Sequence, residues 1–400
     1  AVWTGSEMIV WGGVSSSSTL NTGGRYDPAA DSWTPTATIG GPDGRTSHTA
    51  VWNGSEMVIW GGILGSTRFN TGARYDPSAD SWTATTTTGA PSARYNHTAI
   101  WASGEMIVWG GYDVSGLNTG GRYDPATDSW TATSTTGAPS ARYIHQSVWT
   151  GSEMIVWGGA PISNTGGRYN PATDNWTATS TAGAPSGRLR HTTVWTGSEM
   201  LIWGGTNGST GLNTGGRYNP ATNIWAATQT SGAPSAREEL TAIWTGSEMI
   251  IWGGIFGPFR FQSGGRYSPS TDSWTATATA GAPSAREGHT AVWTGSEMIV
   301  WGGNDFSAVF STGGRYDPAT DSWTATTTTG AASARFYHTA LWTGSEMIVW
   351  GGNDNSTRFN TGARYNPATD GWMATATTGA PSARERQTAV WTGSEMIVWG

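Results

Sequence analysis

The residues of this chain that could do chemistry recur at fixed places. Six His stand at 48, 97, 145, 191, 289 and 338, each three residues after an Arg, and Leu240 and Gln387 fill the equivalent places after Arg237 and Arg384. A metal needs ligands converging within a few ångström. Equivalent positions on successive repeats do not converge, so these His read as structural. The Arg at 45, 94, 142, 188, 237, 286, 335 and 384 recur with them. Their expected role is to tie a loop through hydrogen bonds to backbone carbonyls or Asp-containing turns; the alternative is an anion-attracting ring. Glu238 and Glu239, with Glu287 further on, are the only candidate carboxylate pair. Acid–base work would require burial to split their pKa values, and the sequence gives no sign of burial. No Ser/His/Asp arrangement stands out. The Gly-Gly doublets end apolar runs without opening a helix, so they are not phosphate loops.

These residues must be positioned by a repeat. Trp closes the word T-G-S-E-M-I-V-W at 11, 60, 109, 157, 203, 252, 301, 350 and 399, a spacing of 46 to 49 residues. A fixed period of this length marks a repeat architecture. Units begin near 1, 48, 97, 145, 191, 240, 289 and 338, with a partial unit at 387–400. Each reads as four short strands separated by turn chemistry. In the second unit they are His48–Asn53, Met57–Trp60, Ala73–Asp76 and Trp82–Thr87. Met-Val-Ile-Trp is apolar on both faces and needs cover on both sides. Four-stranded sheets stacked radially make a β-propeller. One all-β domain over 1–400 is therefore expected, with eight complete blades and a trailing two-strand half-blade, or alternatively nine ring positions. Three Trp per unit plus Trp391 and Trp399 account for all 26, so Trp is assigned to packing between blades. Arg25, Arg74 and their equivalents are expected to stack on Trp, and Glu7 and its equivalents to be solvated turn residues.

The units differ from one another in two places. One is the segment after Gly-Gly; the other is the residue pair after the recurrent Arg. Strands alternate in direction, so both places fall on one face of the disc. The aromatics outside the core repeat all lie in these segments: Tyr95, Tyr112, Tyr143, Tyr337 and eight Phe. Binding residues concentrate on loops of rigid scaffolds, and clustered exposed aromatics mark interaction surfaces. The candidate ligand-binding set is Tyr95, Asn96, Tyr112, Tyr143, Ile144, Arg190, Glu238, Glu239, Phe256, Phe259, Glu287, Phe306, Phe336 and Tyr337. Phe69 and Phe359, in near-identical loops, are expected to fold back onto the blades. The short segment 160–165 is expected to leave a notch beside Tyr143 and Arg190.

A strand ending in Gly-Gly, then Tyr-x-Pro and Asp-x-Trp, then Arg-x-x-His opening the next unit, resembles the kelch repeat over the whole chain. The resemblance implies a propeller whose loop-bearing face binds a protein or glycan. Some relatives are copper-radical sugar oxidases, which require a cross-linked Cys–Tyr; this chain has no Cys. Others are sialic acid mutarotases, so a sugar-active site at the channel mouth is the enzymatic alternative to a non-enzymatic reading. A structural element that self-associates through 389–400 is a third.

The absence of Cys also removes disulfides and thiolate metal sites, and no cofactor or metal is expected. A net charge of -7 without a basic run argues against nucleic acid. No apolar run approaches a membrane span. The low charge and small polar residues resemble secreted bacterial kelch proteins, so an extracellular or cell-surface location is expected. The chain reads as an excerpt of a longer polypeptide without its signal peptide.

Overall fold

The computed structural model describes residues 1–16 and 18–385, together with two short terminal strands, Ala389–Val390 and Ile397–Val398. The described residues form eight antiparallel sheets of four strands, arranged as the blades of a ring, with no helix. In blade 2 the strands are Thr49–Trp52, Met57–Trp60, Gly72–Asp76 and Ser81–Ala84. Trp52 pairs with Met57, Met57 with Tyr75, and Tyr75 with Trp82. The first strands of neighbouring blades lie against one another around the axis, and the Thr-containing fourth strands form the rim.

Local chemistry explains this order. The second strand, Met-x-x-Trp, is sealed on both sides in every blade, as its unbroken apolar run requires. Its Trp ends at Gly-Gly for a steric reason. Gly61 has φ +70°, and a Cβ there would sit 2.6 Å from Cε1 of His97. The doublet and the His of the next unit thus occupy the same space and specify each other.

Neighbouring blades are joined by tryptophan. Trp11 meets Trp82 of the next blade at 5.5 Å between ring centroids, and Trp60 meets Trp130 at 5.2 Å. The series ends with Trp350 against Trp33 at 5.1 Å, which brings blade 8 onto blade 1. Such pairs add roughly 0.5–1.5 kcal/mol each beyond their burial. Two further contacts close the same junction: Arg384 donates to Gly12 O and Thr22 O at 2.7 Å, and Ala376 N–H donates to Asp31. The ring therefore has eight positions, and the nine-position alternative is corrected. The terminal strand Ala389–Val390 opens no ninth blade. It lies parallel to Val2–Trp3 on the inner edge of blade 1, Val390 opposite Val2. The remainder of 386–400, on which the self-association reading depends, lies outside the described residues.

Candidate functional site

Both variable segments lie on one face, as expected. The first residue of each pair after the recurrent Arg bridges the first residue of the following loop: Tyr95 with Tyr112, Tyr143 with Ala160, Glu238 with Ile255, Phe336 with Asn353. The recurrent Arg explains why that junction is rigid. Arg94 is fully buried and spends all five N–H groups on its own chain. Nε donates to Ser92 O, Nη1 to Gly110 O and Thr119 O, and Nη2 to Ser92 Oγ and Thr119 Oγ1. Arg142, Arg188, Arg237, Arg286 and Arg384 repeat the pattern. Burial lowers these guanidiniums to about 10, which leaves them charged at neutral pH. A donor set already satisfied has none left for an anion, so the carbonyl-tying role holds and the anion ring does not.

The buried His also belong to the frame. His97 Nε2 lies 2.8 Å from Thr49 Oγ1, and His145 Nε2 lies 2.9 Å from Thr98 Oγ1. Burial, then the nearby Arg, pushes His48, His145 and His191 down to about 3.

The second residue of each pair has an unusual backbone. Ser47, Asn96, Ile144, Arg190, Glu239 and Tyr337 all have φ between 51° and 54°, and Gly288 has 61°. The eighth, Arg386, lies outside the described residues. This left-handed conformation costs an L-residue roughly 1–2 kcal/mol, and a β-branched residue there is an outlier. Adjacent members touch across blades: Ile144 N–H donates to Asn96 O at 3.4 Å, and Tyr337 N–H to Gly288 O at 3.2 Å. They form a collar at the mouth of the central channel. The opposite face uses the same conformation at Asp31, Asp80, Asp128, Asp174, Asn223, Asp272, Asp321 and Asp370. There the residue is always Asp or Asn, which tolerate it. Those side chains cap a Tyr hydroxyl and, in most blades, a backbone N–H of the preceding blade, as Asp80 does for Tyr75 and Ala37.

Around the collar the candidate residues divide into groups. Tyr112 lies between Tyr95 and Tyr143, at centroid distances of 5.7 and 4.8 Å, both edge-on. Exposed Val114, Ile144 and Ile162 flank this trio. Two blades on, Arg190 lies 3.4 Å from both Glu238 and Glu239. Arg260 pairs with Glu287, and the ring of Phe306 covers the Arg260 guanidinium at 3.5 Å. Partial burial raises the Glu239 carboxyl, with Glu287 and Glu238 adding and Arg190 opposing. The expectation of no burial at this pair is corrected to that extent. Phe256 and Phe259 face each other across a small exposed loop hairpin.

Some expectations fail in detail. Phe336 is only 7% exposed and packs on Tyr337, so its ring is part of the wall rather than the surface. Phe69 and Phe359 do fold back, over Arg45 and Arg335, and Phe261 and Phe310 do the same over Arg237 and Arg286. With Phe336, five of the eight Phe residues are therefore scaffold. The loop after Ala160 is the one loop of the eight that does not fold into a bridged hairpin; its Ile162 lies against Gly187 and Gly208 of the neighbouring segments. The third-strand Arg do not stack on Trp. Arg25 pairs with Glu7 and donates to Pro77 O of the next blade, and its equivalents follow. The first-hairpin Glu are thus paired rather than simply solvated. The collar backbone was missed in the sequence, although seven unlike residues in one register position were its visible trace.

Among the described residues no group of three or more His, Asp or Glu could hold a metal. Among the described residues no helix is long and apolar enough to cross a membrane. A family model described as the KLHDC2/KLHL20/DRC7 Kelch-repeats domain matches residues 1–159, 144–331 and 241–400, which together span the chain. No curated protein matches it.

Proposed function

We propose, from the premise that this chain belongs to the kelch-repeat propellers, that it is a non-enzymatic interaction protein whose variable face docks a protein partner. The collar carries this reading. Its backbone geometry is cheapest for Gly, yet only Gly288 of the seven described members is Gly. Side chains kept at a cost in strain are side chains in use. Seven of the ten exposed large hydrophobics, among them Val114, Ile144, Phe259 and Phe306, flank the collar on this face. The tyrosine trio supplies rigid apolar anchors, and charged clusters of unlike composition, Arg68–Asp113, Arg190–Glu238–Glu239, Arg260–Glu287 and Arg358–Glu385, surround it unevenly. That asymmetry fits a partner bound in a single orientation. The sugar-active alternative needs accessible donors at the mouth, and the recurrent Arg are fully buried and turned onto their own loops. The few charges and the exposed sequon at Asn175 favour a setting outside the cell.

The test places a photo-crosslinking residue at Asn96 and, as control, at Ser6 on the other face. Cross-links to one discrete protein from position 96 alone are expected. They should be lost, with the protein still folded, in the combined change Tyr95→Ala, Tyr143→Ala and Tyr337→Ala. Cross-links from Ser6 alone, or none from Asn96, would overturn the reading. Capture of a glycan instead of a protein would overturn the choice of partner.

A further inference from the structure

Two shallow, open concavities lie between blades on the other face. One, of about 500 Å³, opens between blades 1 and 2 and is lined by Glu7, Arg25, Trp52, Glu56, Pro77 and Ser78. Another, of about 480 Å³, opens between blades 7 and 8 and is lined by Glu297, Arg315, Trp342 and Pro367. The two are repeat-equivalent: Glu7 corresponds to Glu297, Arg25 to Arg315, Trp52 to Trp342 and Pro77 to Pro367. The groove is thus a product of the repeat. Its residues recur at the other junctions, as in Glu199, Arg217 and Trp244.

These grooves hold polar groups that the fold leaves unspent. Second- and fourth-strand Trp are packed between blades; of the first-strand Trp, Trp3 and Trp52 are also buried, and the other six are less sealed. Trp101, Trp149, Trp195, Trp244, Trp293 and Trp342 are only half-buried. Among the described residues the indole N–H of Trp342, a half-buried side chain, has no hydrogen-bond partner; Trp52 is more closely packed, at 9% exposure. Nη1 of Arg25 is used by Pro77 O and Glu7, while its Nη2 has no partner among the described residues; the same holds for Arg315. Each groove therefore offers an aromatic edge, an indole N–H, a free guanidinium nitrogen and a carboxylate. The assignment of every Trp to packing alone is incomplete.

We propose that these inter-blade grooves are saccharide sites, repeated around the constant face, each taking one non-acidic pyranose of a repetitive glycan. The aromatic edge and Pro ring receive the apolar face of a sugar, and carboxylate and guanidinium bond its hydroxyls as acceptor and donor. Charge fixes the class. This face carries a Glu in each first hairpin and Asp or Asn in each third-to-fourth turn, against one Arg per blade that is 11–21% exposed and already paired with the hairpin Glu, so carboxylated sugars are repelled. Repetition fixes the form. Near-identical sites at fixed spacing gain affinity from a ligand that is itself repetitive, by factors of roughly 10²–10⁴ over a single unit. The site is separate from the variable face and does not depend on its partner.

The test is a glycan array bearing neutral, amino and carboxylated pyranosides, followed by calorimetry with the best-bound monosaccharide. Binding to one or more non-acidic sugars is expected, with more than one equivalent per chain. Binding to a surface-displayed polymer should be at least a hundred-fold tighter than to the free sugar. Trp293→Ala with Trp342→Ala should lower the stoichiometry by two and leave the remaining affinity unchanged. The surface changes Glu248→Gln and Glu297→Gln give the same reading if those variants do not fold. The variable-face triple variant should bind like the parent. Retention of carboxylated sugars only, no sugar bound at all, a stoichiometry of one, or groove variants indistinguishable from the parent would each overturn the proposal.

Discussion

At the residue scale, the recurrent Arg and His show how one side chain type acquires its role from burial. Arg237 places five hydrogen bonds on Ser235, Gly253 and Ser263, with Phe261 over its guanidinium at 4.0 Å. Arg237→Met would leave buried carbonyls without donors, each costing about 1–3 kcal/mol. A loss on the order of 4 kcal/mol is expected, read from the denaturant midpoint. The buried His set the response to acid. Their folded pKa values lie far below the unfolded value of about 6.5. Below pH 6.5 the unfolded chain takes up protons that the native state refuses. Stability is therefore full above about pH 6.5 and falls toward pH 3, by roughly 1.4 kcal/mol per pH unit for each His. Denaturation between pH 6.5 and 5 should show this slope, and His289→Leu, copying native Leu240, should remove one proton from it. The collar makes an opposite prediction. Ile144→Gly should stabilise the fold by up to about 1 kcal/mol by relieving left-handed strain, while weakening partner binding. A destabilised Ile144→Gly protein would mean that the Ile side chain is there for packing.

At the element scale, loop residues of one type divide by register. Phe261 sits immediately after the tip hairpin, over the buried Arg237, whereas Phe259 is 64% exposed within it. Phe261→Ala should cost about 2–3 kcal/mol, and Phe259→Ala should stay within about 0.5 kcal/mol. Thermal unfolding of the pair separates scaffold from surface. The sequence distinguished the two poorly, because both fall in segments that vary. The telling signal was positional: Phe or Leu precedes the Asn/Gln/Ser-Thr/Ser-Gly element in seven units, at 20, 69, 117, 212, 261, 310 and 359. A position that holds a bulky apolar residue in so many units serves the fold.

At the scale of the whole molecule, closure is the testable property. In a closed ring every junction is equivalent, so Trp33, at the junction of blades 8 and 1, is packed like Trp323 inside the series. Trp33→Ala and Trp323→Ala should each cost about 3–5 kcal/mol and agree within experimental error. In an open stack Trp33 would face solvent and its replacement would cost little. The two faces of the disc also differ electrically. The recurrent Arg, which have no carboxylate partner, lie toward the variable face, and the Glu and Asp turns crowd the other. Partners of the two faces should therefore differ in charge preference as well as shape.

The sequence by itself determined the blades, their strand order, the single face that varies and the structural nature of His and recurrent Arg. These rest on period and apolar alternation, which are local and repeated eight times. Only the tertiary structure decided how many positions the ring has, because that depends on the angle between packed tryptophans. It alone revealed the left-handed collar, the sealed ring of Phe336 and the open edges of the first-strand Trp. Each of these is set by what lies across a blade junction, about a full repeat away along the chain, where spacing carries no information.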